Sequence, residues 1–579
     1  MKKKASPRLV LLPPVPTAVV AVAVATAAAA TLVSTLTTSG GAASWVVVAV
    51  AAAATAILTA LVWPRVATDV LGLHGTSFPS PVDGRAWPLL GQLPQLLAES
   101  QANALAHQFV NWQQRIGWGV NYQIYVFGRR HVVLVDPDDV RAVTMRVDPP
   151  RDPGMLRHFG TPLSVDTLFL VPGARHDTAR RLVHPFLSGA PTTECVLRVV
   201  NESLWGVHPQ AVGAGGAQGG GATPFPRWAA HLDALADSGE PFDIDDISTS
   251  ITIDVIETLL YSTSSDMADL ATKKEWMLRL INDMTVLAGL PVPELLGSAR
   301  MASLKKTGNN FLADFERLAA RRQAAYADGS AAAQPPRDML DIMLADLGQA
   351  TGVYEGDRRR VAADLLFYLL AGYDTTAHSI AWTVHALLDN PEAEARLVAE
   401  LKTALPPAGQ PITAAHLSAM PYLDAVWKES LRLFPPAPNG TIRKLEADLR
   451  LPSNGNVIPA GTVLFIPVLP VHRNPTAYPS ASAFDPARWL PPTAVGGGGH
   501  TPAAQRAARA HYMTFSSGPR ACPGQNMAAV EAKAVLAVLF HRFSWSRVGD
   551  SAAVVMENAV TMRPAGLRVA LRRRAAAAA

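Results

Sequence analysis

The chain predicts a mainly α-helical domain with a small β region, carried behind one or two hydrophobic N-terminal spans. Three observations lead there. The N-terminal sixth of the chain has a long charge-free run. Helical patterning dominates the remaining residues, with strand patterns in only two places. One helical pattern, Asp357 to Asn390, is long enough to cross a whole domain before Pro391 ends it.

From Leu9 to Pro64 there is no Asp, Glu, Lys or Arg, room for two membrane crossings of about 20 residues each. Thr37-Thr38-Ser39-Gly40-Gly41 breaks the run. The second half, bracketed by Trp45 and Trp63, holds 19 residues, about 28 Å as a helix, with an aromatic residue for each interface. The first half, Thr17 to Leu36, is Ala-rich and weakly hydrophobic. It reads as a second span, an uncleaved signal segment or part of a targeting peptide. Lys2 to Lys4 before the run and Arg65 after it favour a hairpin with both ends in the cytosol, with an organelle transit peptide as the alternative. Residues 1–64 are therefore assigned as a membrane anchor or targeting segment. Residues 65–91 contain Phe78-Pro79-Ser80-Pro81 and Trp87-Pro88, a stiff proline-rich hinge or an ordinary linker.

Residues 92–579 read as one domain. Gln123 to Phe127 and His131 to Val135 flank Gly128-Arg129-Arg130 in a hairpin pattern, and later strands are expected at Val463 to Val468 and Leu567 to Leu571. Low-complexity stretches at 213–222, 329–336 and 495–508 are expected to be mobile surface insertions.

The net charge is +4. Lys2, Lys3, Lys4 and Arg8 contribute +4 and Arg572 to Arg574 another +3, leaving −3 between the ends. No basic stripe with interleaved aromatics exists, which argues against a nucleic-acid partner. Two cysteines, Cys195 and Cys522, cannot staple an extracellular scaffold, so the domain belongs in a reducing compartment.

Cys522 lies in Phe515-Ser516-Ser517-Gly518-Pro519-Arg520-Ala521-Cys522-Pro523-Gly524. Backbone N–H groups around the glycines and the charge of Arg520 are expected to lower the thiol pKa, and a thiolate in such a loop can hold haem iron. A lone cysteine is otherwise most often a buried structural residue. Along the long helix, Ala371-Gly372-Tyr373-Asp374-Thr375-Thr376 is poor helix chemistry. Threonine back-bonding there bends the helix and opens space for a small ligand, or the segment is a slightly bent core helix. On the Tyr422 to Leu433 helix, Glu429 and Arg432 share a face, ordinarily an exposed pair of small worth.

Phe-x-x-Gly-x-Arg-x-Cys-x-Gly at Phe515 to Gly524 resembles the haem-binding loop of the cytochrome P450 family. That resemblance implies a cytochrome P450 fold preceded by one or two transmembrane helices, with haem b as cofactor. Cys522 would be the axial iron ligand, Phe515 the shield of the sulfur and Arg520 a propionate contact, while Gly518 and Gly524 permit the tight turn and close backbone approach. Asp374 and Thr375 resemble the family's acid–alcohol pair that delivers protons during oxygen activation. His378, one turn past Asp374, is placed to bond it, with a merely packed or solvated side chain as the ordinary alternative. Glu429-x-x-Arg432 and Phe484-Asp485-Pro486-Ala487-Arg488-Trp489 resemble the buried Glu–Arg–Arg scaffold around the cysteine loop. His176 and Arg180, four apart, resemble a propionate-binding pair in which many members carry Trp where this chain has His176. Arg443 matches a further propionate position; for Arg180 and Arg443 the alternative is a surface arginine. Helical geometry directs Tyr373 and Phe367 towards the pocket.

The resemblance implies a haem-thiolate monooxygenase acting with O2 on a lipophilic substrate, a sterol or a fatty acid. Only 57 residues follow Cys522, too few for a flavoprotein domain, so electrons are expected from a separate NADPH-dependent flavoprotein reductase at the endoplasmic reticulum membrane. A ferredoxin would replace it in a mitochondrion or plastid. The rivals are a haem-thiolate isomerase or dehydratase, which would commonly lack the Asp374–Thr375 pair, and a non-enzymatic haem carrier or gas sensor.

Overall fold

The computed structural model describes residues 78–79, 105–126, 129–152, 167–169, 171–207, 227–262, 267–288, 298–327, 337–349, 351–407, 409–491, 500–558 and 560–574. The anchor assigned to residues 1–64, nearly all of the hinge, and the insertions at 213–222 and 329–336 lie outside these. Among the described residues no helix is long and apolar enough to cross a membrane.

The chain divides into two compact units. One comprises Met1–Gln95 with Tyr122–His131, the other Leu96–Asn121 with Val132–Ala579. In the first, β1 (Tyr122–Val126) precedes β2 (Arg129–Val133), which runs on into the second unit, so Arg129 and Arg130, read from the sequence between the strands, belong to the second strand.

The second unit is built of helices. In chain order they are α1 (Leu105–Ile116), α2 (Pro137–Arg141), α3 (Gly173–Ser188), α4 (Ala190–Val200), α5 (Arg227–Ser238), α6 (Ile244–Tyr261), α7 (Met267–Ala288), α8 (Ser298–Ala327), α9 (Met339–Leu347), α10 (Arg358–Leu388), α11 (Pro391–Ala404), α12 (Ala414–Ser418), α13 (Pro421–Leu433), α14 (Val468–His472), α15 (Pro502–His511) and α16 (Gln525–Arg542). The central one is α10. Asp357 caps its N-terminus by accepting from the Arg359 N–H, Asp389 is its C-cap, and its 31 residues span about 46 Å. It packs on α6, α8, α13 and α16 and is buried over most of its length. Gly372 allows a close approach to α6: a Cβ there would stand 2.7 Å from Cδ1 of Ile256. The glycine thus serves helix packing, while Thr375 bonds back to the Ala371 carbonyl at 2.8 Å as its sequence context predicts.

Short antiparallel pairs complete the unit. β4 (Thr441–Lys444) pairs with β7 (Val463–Ile466), setting Arg443 opposite Leu464. β5 (Leu449–Arg450) pairs with β6 (Val457–Ile458), and β9 (Val555–Asn558) with β10 (Met562–Ala565). β11 (Arg568–Arg573) lies between β3 (Phe242–Asp243) and β8 (Phe543–Arg547). The expected Val463 strand stops at Ile466 because Pro467, which has no N–H to donate, follows it. The third low-complexity stretch departs from its expectation. Thr501 caps α15, the Gln505 amide donates to the Leu490 carbonyl at 2.6 Å and the Ala508 carbonyl accepts from the Tyr478 hydroxyl at 2.8 Å. Residues 500–508 are therefore docked structure, because two buried partners claim polar atoms that a mobile loop would leave to water.

Candidate active site

Cys522 sits at the end of a closed loop leading into α16. Its N–H donates to the Phe515 carbonyl at 2.8 Å, and the Ala521 N–H donates to the Gly518 carbonyl at 3.0 Å. Gly518 has φ of +76°, and a Cβ there would collide with the Thr144 carbonyl, so both its conformation and its crowding call for glycine. Thr144 and Ser517 hydroxyls share a 2.7 Å hydrogen bond. Phe515 packs against the core with its ring 6.0 Å from that of Trp427. Both cysteines are free thiols, and Cys522 is exposed by surface area although protein surrounds the sulfur closely.

That enclosure decides its acidity. Burial pushes the Cys522 thiol up, and the Gly524 N–H with the Arg180 and Arg151 guanidiniums pulls it only partly back. The expected net lowering is corrected: the loop's Gly524 N–H does pull the pKa down, but burial outweighs it, and Arg520 is engaged elsewhere, donating to Asp148 Oδ2 at 3.3 Å and to the Val171 carbonyl at 3.4 Å. A bound metal would deprotonate such a thiol outright.

The rim beside the loop is a buried cluster of cations. Arg443 is 1% exposed, donating to Asp148 Oδ1 at 3.4 Å and the Pro149 carbonyl at 3.0 Å. Its Nε and Nη2 have no hydrogen-bond partner among the described residues. Arg151 bridges Arg443 through the backbone and lies 3.8 Å over the Phe169 ring. Burial, then repulsion from Arg443 and Arg520, brings its pKa down to about 9, and burial brings that of Arg443 down to about 10. His176, buried on α3, bonds Asp177 at 3.0 Å; burial lowers its pKa, and Arg520 and Arg151 add to that. Asp148 alone answers Arg443 and Arg520 among the described salt bridges. A buried guanidinium with orphaned N–H groups calls for an anion, a charge that the propionates of a haem would supply. Arg180 sits differently from Arg443: its Nη1 donates to the Ala521 carbonyl at 2.6 Å, clamping the cysteine loop. Arg443→Leu is expected to weaken haem retention about 10- to 150-fold, the worth of one charged hydrogen-bonding group at 1.5–3 kcal/mol; haem transfer to apomyoglobin measures it.

The Glu429–Arg432–Arg488 scaffold assembles as the sequence implies. Arg432 reaches both Glu429 oxygens, Nε to Oε2 at 2.9 Å and Nη2 to Oε1 at 2.8 Å, and Arg488 Nε donates to Oε1 at 3.2 Å. Trp489 Nε1 at 2.9 Å and the Asp485 N–H at 2.9 Å complete the carboxylate's partners. The scaffold is wired to the cysteine loop: Arg432 Nη1 donates to the His472 carbonyl at 3.0 Å, and His472 Nε2 accepts from the Met513 N–H at 2.9 Å, two residues before Phe515.

Midway along α10 Phe367, Leu370, Ala371, Gly372 and Thr375 stay partly accessible, while the other residues from Val361 to Val384 are buried. Phe367 stacks on Phe169 at 4.9 Å. Tyr373 does not join them; it is 1% exposed, and its carbonyl accepts from Thr252 of α6 at 3.0 Å. Its place on the turn sets it on the opposite side of the helix from Phe367 and Ala371. Asp374 is buried too, its carboxylate bonded to the Thr561 hydroxyl and 3.6 Å from His378 Nε2. His378 is not merely packed or solvated, since Nε2 also pairs with Asp245 Oδ2 at 3.5 Å. Arg151, Asp148, Asp245 and Thr561 were invisible as site residues in the sequence, because none lies in a motif with the residues it meets.

A thiol set in a glycine-shaped loop, a cationic rim and an accessible helix face carrying Thr375 together fit a haem. The family model described as Cytochrome P450 matches residues 228–570, more than half of the chain. Cytochrome P450 monooxygenase macH of Penicillium terrestre is 29% identical over 335 residues, covering 56% of this chain and 63% of its own length. The taurochenodeoxycholic 6 alpha-hydroxylase of Sus scrofa is 33% identical over 237 residues, covering 41% of this chain and 44% of its own length. The solved haem domain of cytochrome P450DA matches with a TM-score of 0.67 at 19% identity, over 86% of this chain and 98% of that one, a likeness of fold. With the matched region enclosing the cysteine loop, the scaffold and the long helix, the chain belongs to the cytochrome P450 family, and its cofactor is a cysteine-ligated haem.

Proposed function

We propose that this protein is a membrane-anchored haem-thiolate monooxygenase that inserts one atom of O2 into a lipophilic substrate and reduces the other to water. Two electrons come from a separate reductase and two protons from solvent. The observation that carries the reading is the pairing of the Cys522 loop, clamped by Arg180, with an accessible α10 face that presents Thr375 beside the buried acid Asp374. The haem, when bound, supplies the iron at which dioxygen is cleaved, with thiolate electron density favouring that cleavage.

Cys522 is the ligand in this reading, Phe515 shields it, and His176, Arg443 and Arg520 with Arg151 hold the propionates. Thr375, whose hydroxyl hydrogen now goes to the Ala371 carbonyl, keeps a hydroxyl at the cleft that accepts a proton from the Asp374 side and passes it on. Phe169, Phe367, Leu370 and Ala371 offer apolar or aromatic surface and no charge, which suits a sterol or fatty acid. The charge-free run before Arg65 supports an anchor, and a lipid-dissolved substrate fits a domain held at the endoplasmic reticulum with an NADPH-dependent flavoprotein as electron donor.

Full-length protein with that reductase, NADPH and 18O2 is expected to give a hydroxylated product carrying one 18O from dodecanoic acid or cholesterol. Conversion without O2 or reductant would overturn the reading in favour of an isomerase. Thr375→Ala is expected to keep NADPH consumption while product falls about tenfold or more and peroxide rises. Equal product yield from that variant removes Thr375 from the pathway.

A further inference from the structure

His378 is the feature of α10 that the monooxygenase reading leaves without a task. Its Nε2 lies between two carboxylates, 3.5 Å from Asp245 Oδ2 on α6 and 3.6 Å from Asp374 Oδ1 on its own helix. One N–H cannot serve both at once. All three side chains are buried, His378 and Asp374 to 6% of their side-chain area and Asp245 to 11%. Asp374 is meanwhile held by the hydroxyl of Thr561, the residue before β10.

We propose that His378, paired with Asp245, is the positioning residue that holds Asp374 and feeds it protons. This rests on the monooxygenase reading and deepens it by giving the acid a source. The direction of flow follows from burial. Asp245 begins the first turn of α6, where Asp243 caps the helix and the partly exposed Arg563 of β10 lies close enough to act on it electrostatically. A proton lost by Asp374 into the cleft is replaced from His378 Nε2. The Asp245 carboxylate then takes a proton from water and hands it to the neutral imidazole at the same nitrogen, which restores the ion pair. No charge is created or destroyed over the cycle.

The charged groups around the pair agree with this. Against burial, which favours neutral imidazole, Asp245 and Asp374 raise the His378 pKa to about 9, and Arg563 opposes them. Burial would raise Asp245, but His378, Arg563 and Lys274 of α7 hold it below its ordinary value. Asp374 stays raised, by burial first, despite His378 and Thr561. Arg563 is itself paired with Glu557 of β9, Lys274 with Asp246, and Asp243 is raised to about 6 by burial. His378 and Asp245 thus settle as an ion pair, leaving Asp374 as the group that exchanges its proton.

The test uses full-length holoenzyme with reductase and dodecanoic acid. His378→Gln is expected to cut product formation about 10²-fold, and His378→Gln with Asp374→Asn is expected to be no worse than Asp374→Asn alone. In wild type, product per NADPH falls as pH rises through about 9; the variant, which keeps Arg151, lacks that limb. A second readout needs no turnover. A group whose pKa is raised on folding stabilises below its unfolded value near 6.5 and loses that contribution as pH rises through about 9. The wild-type unfolding midpoint is therefore expected to exceed that of His378→Gln at pH 6 and converge with it by pH 10. Asp245→Asn, which keeps the imidazole, serves if His378→Gln folds poorly, and is expected to move the alkaline limb to lower pH. Unchanged product, pH profile and midpoint difference in either variant, with Asp374→Asn impaired, would overturn the proposal and leave the monooxygenase reading standing. A wild type that oxygenates no lipid sinks that reading instead, and the midpoint comparison still decides the His378 pairing.

Discussion

Cys522→Ser is expected to abolish oxygenation and to remove the thiolate-type spectrum of the reduced carbon monoxide complex, with little change in stability. The loop does not depend on the sulfur for its shape. The Cys522 N–H to Phe515 carbonyl bond, the Arg180 clamp on the Ala521 carbonyl and the packing of Gly518 on Thr144 all survive the substitution. Unfolding should therefore shift by no more than about 1 kcal/mol. Serine, with a far more basic oxygen, cannot donate electron density as a thiolate does. Nor can the other cysteine substitute: Cys195 lies on α4, within 4.0 Å of the Arg198 guanidinium, and burial pushes its thiol up. Absorption spectra of the reduced carbon monoxide complexes, read beside product formation, decide the matter. An unchanged spectrum in the folded variant overturns the assignment of Cys522 as ligand.

Glu429→Leu is expected to destabilise the protein by about 3–5 kcal/mol, because it leaves Arg432 and Arg488 buried without their carboxylate. Arg432 is fully buried and Arg488 is 3% exposed, so water cannot take over. Against a typical total of about 5–15 kcal/mol, the loss is large. Arg432 retains its bonds to the carbonyls of His472, Ala481 and Ala483, which orients the guanidinium but cannot neutralise it. Arg432→Leu should cost a similar amount, and the double substitution less than the sum, since each single change already forfeits the shared pair. Urea unfolding measures these costs, and haem retention measured alongside should fall as the His472–Met513 link to the cysteine loop loosens. A cost below about 1 kcal/mol would mean the scaffold is dispensable.

The contrast between these two sites explains what could be read before folding. The cysteine loop is contiguous, and its glycines, arginine and cysteine are constrained by turn geometry within ten residues. Glu429-x-x-Arg432 is likewise local, because three-residue spacing places both side chains on one helix face. Its burial was not local information: it depends on Trp489, the Asp485 N–H and three carbonyls from residues 472 to 483. Misreadings have the same origin. Arg520 sits two positions before Cys522, yet Asp148, far away in the chain, claims it. Tyr373 adjoins Asp374, but its turn of α10 faces α6.

Short-range spacing along the chain was enough to establish the family, the ligand candidate, the long central helix and the Glu–Arg pair, since backbone geometry converts such spacing directly into proximity. Which charges meet was settled only by packing. It drew Arg443 and Arg520 to one carboxylate, Asp148, set Arg151 beside them, and left two Arg443 nitrogens unpaired among the described residues. It also set His378 between Asp245 and Asp374. The physical reason is that a pKa, a buried ion pair and an anion site depend on distance and desolvation among groups from separate segments, and those arise when the segments pack together.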